Sequence, residues 1–271
     1  MPPLREQQAI AKILSDLDEK IELNNKMNKT LEEIAQAIFK RWFIDFEFPN
    51  ENGDPYKSSG GEMVESELGM IPKGCSVGKL RDICKSIMNG GTPSRKEIRY
   101  WENGVIPWYK TGELMDNFLL DSKEHITEEG LKKSSCHIWE PETILIALYA
   151  SPTLGRLGIL GSKATANQAC SGLVAKDHIG FEYLFLVLLN HREVFNSIAV
   201  GSAQQNISQS IVSAQTILIP NKELLDKFRT IVNPIFNSWS SNTKETALLK
   251  EIRDLLLPKL MTGKIRVPQE D

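Results

Sequence analysis

The chain has 271 residues, of which 41% are hydrophobic and 25% charged, with a formal net charge of −3. This composition is that of an ordinary soluble protein, and the length supports a sizeable packed core. No apolar run reaches the roughly 18–20 residues of a bilayer-spanning helix, and the polar N-terminus lacks a signal-peptide pattern.

Cys75, Cys84, Cys136 and Cys170 lie far apart, with no CxxC and no paired histidines nearby. That spacing argues against a zinc site and a disulfide framework, and fits a reducing, cytoplasmic location.

In chain order, residues 7–43 read as one long helix. Its seam is Ile10, Leu14, Leu17, Ile21, Asn24, Asn28, Leu31, Ala35, Ile38 and Trp42, with steps of four and three alternating without a slip. Sustained heptads point to a coiled coil. No Pro or Gly interrupts residues 4–48. At ~1.5 Å per residue the rod is about 55 Å long.

Residues 50–75, which include NENGDPYKSSGGE, read as a loop. From 76 to 220 the segments are shorter and punctuated by turns. Thr143–Tyr149 and Thr216–Ile219 read as strands, residues 181–199 as a buried helix, and GGTP, ENG, SPTLG and LGILGS as turns. Residues 221–257 form a second helical stretch. Leu225, Phe228, Val232, Ile235, Trp239, Asn242, Thr246, Leu249 and Leu256 share one broad face, and Pro234 is expected to kink it.

Both rods are apolar at their ends and polar in the middle, which suits antiparallel pairing with Asn24 and Asn28 near Asn242. The expected fold is therefore α+β, one mixed α/β domain flanked by two long helices in an antiparallel coiled coil. The boundaries are 1–48 for the first helix, 49–75 for a linker, 76–220 for the globular domain, 221–260 for the second helix and 261–271 for a tail.

Charge is unevenly placed. Residues 73–110 hold 8 Lys and Arg against 3 Asp and Glu, net +5, whereas residues 111–145 hold 3 against 8. A local basic patch is what a phosphate-binding surface requires, though a solvated charged loop gives the same count. Within it Arg95, Lys96, Arg99 and Lys110 interleave with Tyr100, Trp101, Trp108 and Tyr109. Arginine reads guanine edges bidentately. The two tryptophans are expected to pack against the fold more than to stack on bases.

Candidate DNA contacts are Thr92, Ser94, Arg95, Lys96, Arg99, Lys110, Thr111, Arg156, Lys163, Gln204, Gln205 and Asn206. The amides of GSAQQNIS match the adenine donor–acceptor pair, or else satisfy backbone groups at a turn. Candidate helix-pairing residues are Ile10, Leu14, Leu17, Ile21, Asn24, Asn28, Leu31, Ile38, Phe228, Ile235, Asn242, Leu249 and Leu256.

The sequence has no phosphate loop, no GxGxxG turn and no GxSxG elbow, and its four histidines have no metal-binding spacing. Asn233-Pro234-Ile235-Phe236 is similar to the Asn-Pro-Pro-Phe/Tyr motif of enzymes that methylate exocyclic amines. It falls inside a heptad pattern with no cofactor turn elsewhere, so catalysis is not expected there.

PPLREQQAIAKILSDLDEKIELNNKMNKTLEEIAQAIFKRWFIDFEF resembles the central connecting helix of type I restriction-modification specificity subunits. NGGTPS, YW, IPWYKTGEL, ANQAC and GSAQQNIS resemble successive landmarks of their target recognition domains, and LIPNKELLDKF begins what resembles the distal connecting helix.

The resemblance implies a non-catalytic subunit that reads part of a bipartite site in double-stranded DNA. It implies docking of methyltransferase subunits, which bind S-adenosylmethionine and methylate adenine N6, and of a restriction/translocase subunit. It implies no cofactor, metal or membrane for this chain. A full member has two recognition domains and this chain one, so it resembles a half-subunit. Either two copies associate, or the chain complements a separate half, or it is a silent, truncated partner that binds methyltransferase subunits without reading DNA.

Overall fold

In a computed structural model that describes residues 3–149, 152–200 and 206–267, the heptad stretch forms helix α1 (Leu4–Phe39). A π turn (Lys40–Ile44) follows directly. The mixed segment forms β1 (Met63–Ser66), β2 (Gly69–Pro72), β3 (Ser76–Lys79), β4 (Cys84–Asn89), β5 (Ile106–Tyr109), β6 (Asn117–Leu119) and β7 (His125–Ile126). After helix α2 (Glu128–Lys132) come β8 (Ile144–Ala147), β9 (Leu157–Leu160), β10 (Thr165–Ala166) and β11 (Cys170–Ala175). Helices α3 (Phe181–Asn190), α4 (Arg192–Val200) and α5 (Gln209–Ser213) precede β12 (Thr216–Ile219) and the long helix α6 (Lys222–Met261). No described helix is long and apolar enough to cross a membrane.

Contacts divide the chain into two compact units, Met1–Ile34 with Pro234–Asp271, and Ala35–Asn233. The first is a helix pair. Asp18 meets Arg253 at 2.8 Å, Asn24 meets Glu245 at 2.7 Å, and Asn28 meets Thr243 at 3.2 Å. Partner numbers fall as positions in α1 rise, so the pairing is antiparallel, as the two polar-centred rods predict. Of the ten seam positions, nine in α1 and Trp42 in the π turn, none is exposed. Asn242 is half-buried, but the partners of the two seam asparagines are Thr243 and Glu245, one and three residues further on. The helical stretch of α6 is unbroken at Pro234 and Pro258.

In the second unit the end of α1 departs from heptad spacing. Phe39 is 6% exposed and Phe43 3%, whereas Ile38 is only half-buried. The π turn adds a residue to one turn and lets Trp42 and Phe43 both face inward. Phe43 packs edge-on against Phe228 at 4.8 Å and against Tyr183 at 5.0 Å between ring centroids. Edge-to-face pairs of this kind add about 0.5–1.5 kcal/mol beyond their buried area.

The main sheet has strand order β4-β11-β8-β9-β6. Its pairs are antiparallel except β6 with β9, which is parallel. Helix α3 packs against β8, β9 and β11, and Tyr109, Leu114, Leu119, Trp139, Leu145 and Leu160 belong to one buried cluster. Strands β8 and β9 are buried along their whole length, which is why ILIA reads as a continuous apolar run and not as an alternation.

Three expectations are corrected. LGILGS is not a turn; its first four residues are β9. Gly158 is there because a Cβ would lie 2.4 Å from Leu119 Cδ1, so the glycine serves packing and not a bend. The linker also contains a hairpin, β1 with β2, running from the Met63–Pro72 pair to the Ser66–Gly69 pair. The 181–199 helix is two helices, divided at His191, whose φ of −87° and ψ of 0° leave the helical region.

Candidate nucleic-acid interface

The GGTPS loop follows β4 and is anchored by its backbone. Gly90 N–H donates to Cys170 O at 2.9 Å and Gly91 N–H to Ala166 O at 2.9 Å. A Cβ on Gly90 would lie 2.2 Å from the carbonyl oxygens of Ala166 and Asn167, so only glycine permits this approach. Thr92 Oγ1 donates to Gln168 Oε1. Gln168 is exposed and lies within the ANQAC landmark, but no sequence signal pairs it with Thr92.

The two tryptophans pack within the fold, Trp108 buried and Trp101 half-buried, and they also brace the loop, a role the sequence does not reveal. Trp108 is 2% exposed, and its Nε1–H donates to Gly91 O at 2.9 Å. Trp101 Nε1–H donates to Ser94 O at 3.1 Å. The rings meet edge-on at 5.0 Å and 87°. Arg95 lies over them, its guanidinium carbon 3.5 Å from the Trp101 centroid and 4.8 Å from that of Trp108.

The cations are largely paired. Arg95 meets Glu124 at 2.5 Å, and Lys110 binds the same carboxylate. Lys110, whose ammonium Glu124 accepts, and then Arg95 hold the Glu124 carboxyl below its ordinary range. Arg99 sits between Glu129 at 3.2 Å and Glu97 at 3.1 Å, which raise its pKa, Glu129 most. Lys163 pairs with Glu140 at 2.8 Å, and Arg156 Nη1 donates to Met115 Sδ at 3.5 Å. Lys96 is exposed and makes no ion pair among the described residues.

The acidic stretch 111–145 thus folds back on the basic one and supplies Glu124 and Glu129. These carboxylates sit 29 and 30 residues along the chain from the arginines they pair with, which hides them from any local reading of charge.

Thr111 opens a short 3-10 turn (Thr111–Glu113), whose Glu113 accepts from Lys110 N–H at 3.0 Å. Asn206 is half-buried. Gln204 and Gln205 lie outside the described residues. The geometry brings Thr92, Ser94, Arg95, Lys110 and Gln168 around one Trp-braced loop; it does not tie Lys163 or Arg156 to that cluster.

By its parts, the chain is one antiparallel helix pair and one mixed α and β unit with this loop. It belongs to the family described as the type I restriction-modification DNA specificity domain, whose model matches residues 1–63 and 72–249.

Among its relatives, the type I restriction enzyme MjaIX specificity subunit of Methanocaldococcus jannaschii is 33% identical over 273 residues, covering 99% of this chain and 60% of that one. The HindI specificity subunit of Haemophilus influenzae is 28% identical, covering 98% of this chain and 68% of that one. A crystal structure of the type I S subunit from M. genitalium shares the fold, with a TM-score of 0.63 at 18% identity, over 95% of this chain and 61% of that one. The chain therefore spans about three-fifths of the first relative's length.

Proposed function

We propose that the chain is a DNA-reading half-subunit of a type I restriction-modification complex. Its mixed unit reads one half of a bipartite site, and its helix pair spaces the halves and docks methyltransferase subunits. The observation that carries this reading is the family match running through both helices and the domain between them. The exposed apolar side chains of the helix-pair unit, Leu23, Met27, Leu248 and Leu255, support docking. Methyl transfer belongs to the S-adenosylmethionine-binding partner and cleavage to the restriction/translocase subunit. A rod of about 55 Å bounds the gap between half-sites at about 16 base pairs.

The test is a map of N6-methyladenine in a cell carrying this chain and its methyltransferase. A bipartite motif is expected. A symmetric one indicates two copies of the chain, and an asymmetric one a complementary half. Absence of any motif overturns the reading.

A second reading, a partner that binds methyltransferase subunits without reading DNA, is favoured by the ion pairing of Arg95, Arg99, Lys110 and Lys163. It predicts no gel shift of duplex DNA with the methyltransferase present.

A further inference from the structure

We propose that Glu124 is a specificity-determining residue, an internal anion that keeps Arg95 and Lys110 from acting as a general phosphate clamp and holds Arg95 in place to read bases. The inference rests on the DNA-reading function proposed above. It adds a residue that the loop's own sequence does not contain.

Three observations support it. The first is the layering of charge. The Glu124 side chain is 29% exposed, whereas Arg95 is 51% and Lys110 43% exposed. The carboxylate lies beneath two cations that reach solvent, so the trio presents net +1 where the cations alone would present +2. Its depressed pKa keeps it charged at neutral pH.

The second is that the main chain carrying the carboxylate is fixed in place. It is fastened on the side next to β5, where Glu124 O accepts from Trp108 N–H at 2.9 Å and from Ser122 Oγ. Ser122 is itself 7% exposed, and its Oγ also accepts from Trp108 N–H at 2.9 Å.

The third is the seat of Arg95. One contact goes to Glu124, and the guanidinium lies over Trp101, whose indole N–H is already committed to Ser94 O. A guanidinium has five N–H donors in a fixed fork. An ion pair and a ring contact restrict its motion while leaving other donors for a ligand.

A guanidinium held this way loses little freedom on meeting a base edge, and bidentate arginine contacts discriminate between bases. Two unpaired cations would instead grip any backbone, because phosphate contacts carry no sequence information. Glu124 therefore exchanges general affinity for selectivity.

The experiment uses the full chain assembled with its methyltransferase. Binding of a random-sequence duplex is followed by fluorescence anisotropy over a range of salt, for the wild type and Glu124→Gln. The variant is expected to bind several-fold tighter, with a salt slope steeper by about 0.9, the value of one added phosphate contact. The methylation motif in cells should become degenerate at one position. Adding Arg95→Ala to Glu124→Gln should abolish the gain.

A folded Glu124→Gln complex whose random-duplex affinity and motif are unchanged overturns the proposal. If Glu124→Gln does not fold, Glu124→Asp, which draws the charge back by one methylene, must show the same shifts in smaller measure, and their absence overturns it too. A wild-type complex that binds no duplex and yields no motif removes the DNA-reading function itself, which is a different result from an inert Glu124 substitution.

Discussion

Asn24 donates through Nδ2 to Glu245 Oε2 at 2.7 Å across the helix pair, from a position with no exposed surface. Its other amide atom, Oδ1, is buried without a partner among the described residues. The amide is half-satisfied in the polar middle of a seam that is apolar at both ends, a device that fixes pairing at a cost in stability. Asn24→Leu is expected to raise the urea midpoint while broadening the range of assemblies seen by analytical ultracentrifugation. A lower midpoint would show that the single bond to Glu245 outweighs the unsatisfied oxygen.

Arg253 and Asp18 lie closer to solvent, at 32% and 58% side-chain exposure. Exposed ion pairs are worth about 0.2–1 kcal/mol. A double-mutant cycle with Arg253→Ala and Asp18→Ala should return a coupling energy in that range, shrinking as salt is added.

Gly90→Ala places a methyl group where two carbonyl oxygens already stand. Overpacking against backbone costs about 1–3 kcal/mol, and neither carbonyl is the end of a flexible side chain. A lowered thermal midpoint is expected, whereas an unchanged one would show that the loop can be shifted off β11 without loss.

Glu182 is 4% exposed, and burial raises its pKa, with Arg229 opposing more weakly. Arg229 Nε stands 3.8 Å from Glu182 Oε2. Because the folded state holds this proton more tightly than the unfolded chain, its contribution is full below the ordinary carboxylate pKa. It is lost as pH rises through the folded value. Glu182→Gln should therefore gain thermal stability relative to wild type as the pH rises above the ordinary carboxylate pKa. A difference that does not vary with pH would contradict this.

Lys96 and Arg99 separate a free cation from a paired one. If the loop meets phosphates, Lys96→Ala should flatten the salt slope of DNA binding by about 0.9. Arg99→Ala should change it less, because Glu97 and Glu129 already neutralise that side chain. Titrations of the two variants beside wild type decide the order.

The helix pair is legible because a heptad is a local code: each seam position is three or four residues from the next, and all ten, nine in α1 and Trp42 just beyond it, prove sheltered. Strand β12 matched its expected span for a similar reason, a short apolar run between turn residues. The misread parts depend on what lies across the fold. LGIL resembled a turn until Leu119 explained its glycine. The π turn at Lys40–Ile44 leaves no trace in spacing, because Trp42 and Phe43 are adjacent and either could have faced the core. At the candidate interface, the packing of the two tryptophans into the fold is legible in the sequence, but their hydrogen bonds to the loop carbonyls are not. Nor are the ion pairs, since Glu124 and Glu129 reach Arg95 and Arg99 only after the chain returns.

The antiparallel helix pair also sets an order of events during synthesis. Asn28 finds Thr243 at a separation of 215 positions along the chain. At roughly 5–20 residues per second, a ribosome needs about 10–40 s to deliver that partner. Through this interval the nascent α1 carries an uncovered apolar edge while the intervening sheets form. The pairing cannot close before that segment is made, and anything that captures a lone amphipathic helix, a chaperone or a neighbouring nascent copy, has its opportunity in the interval.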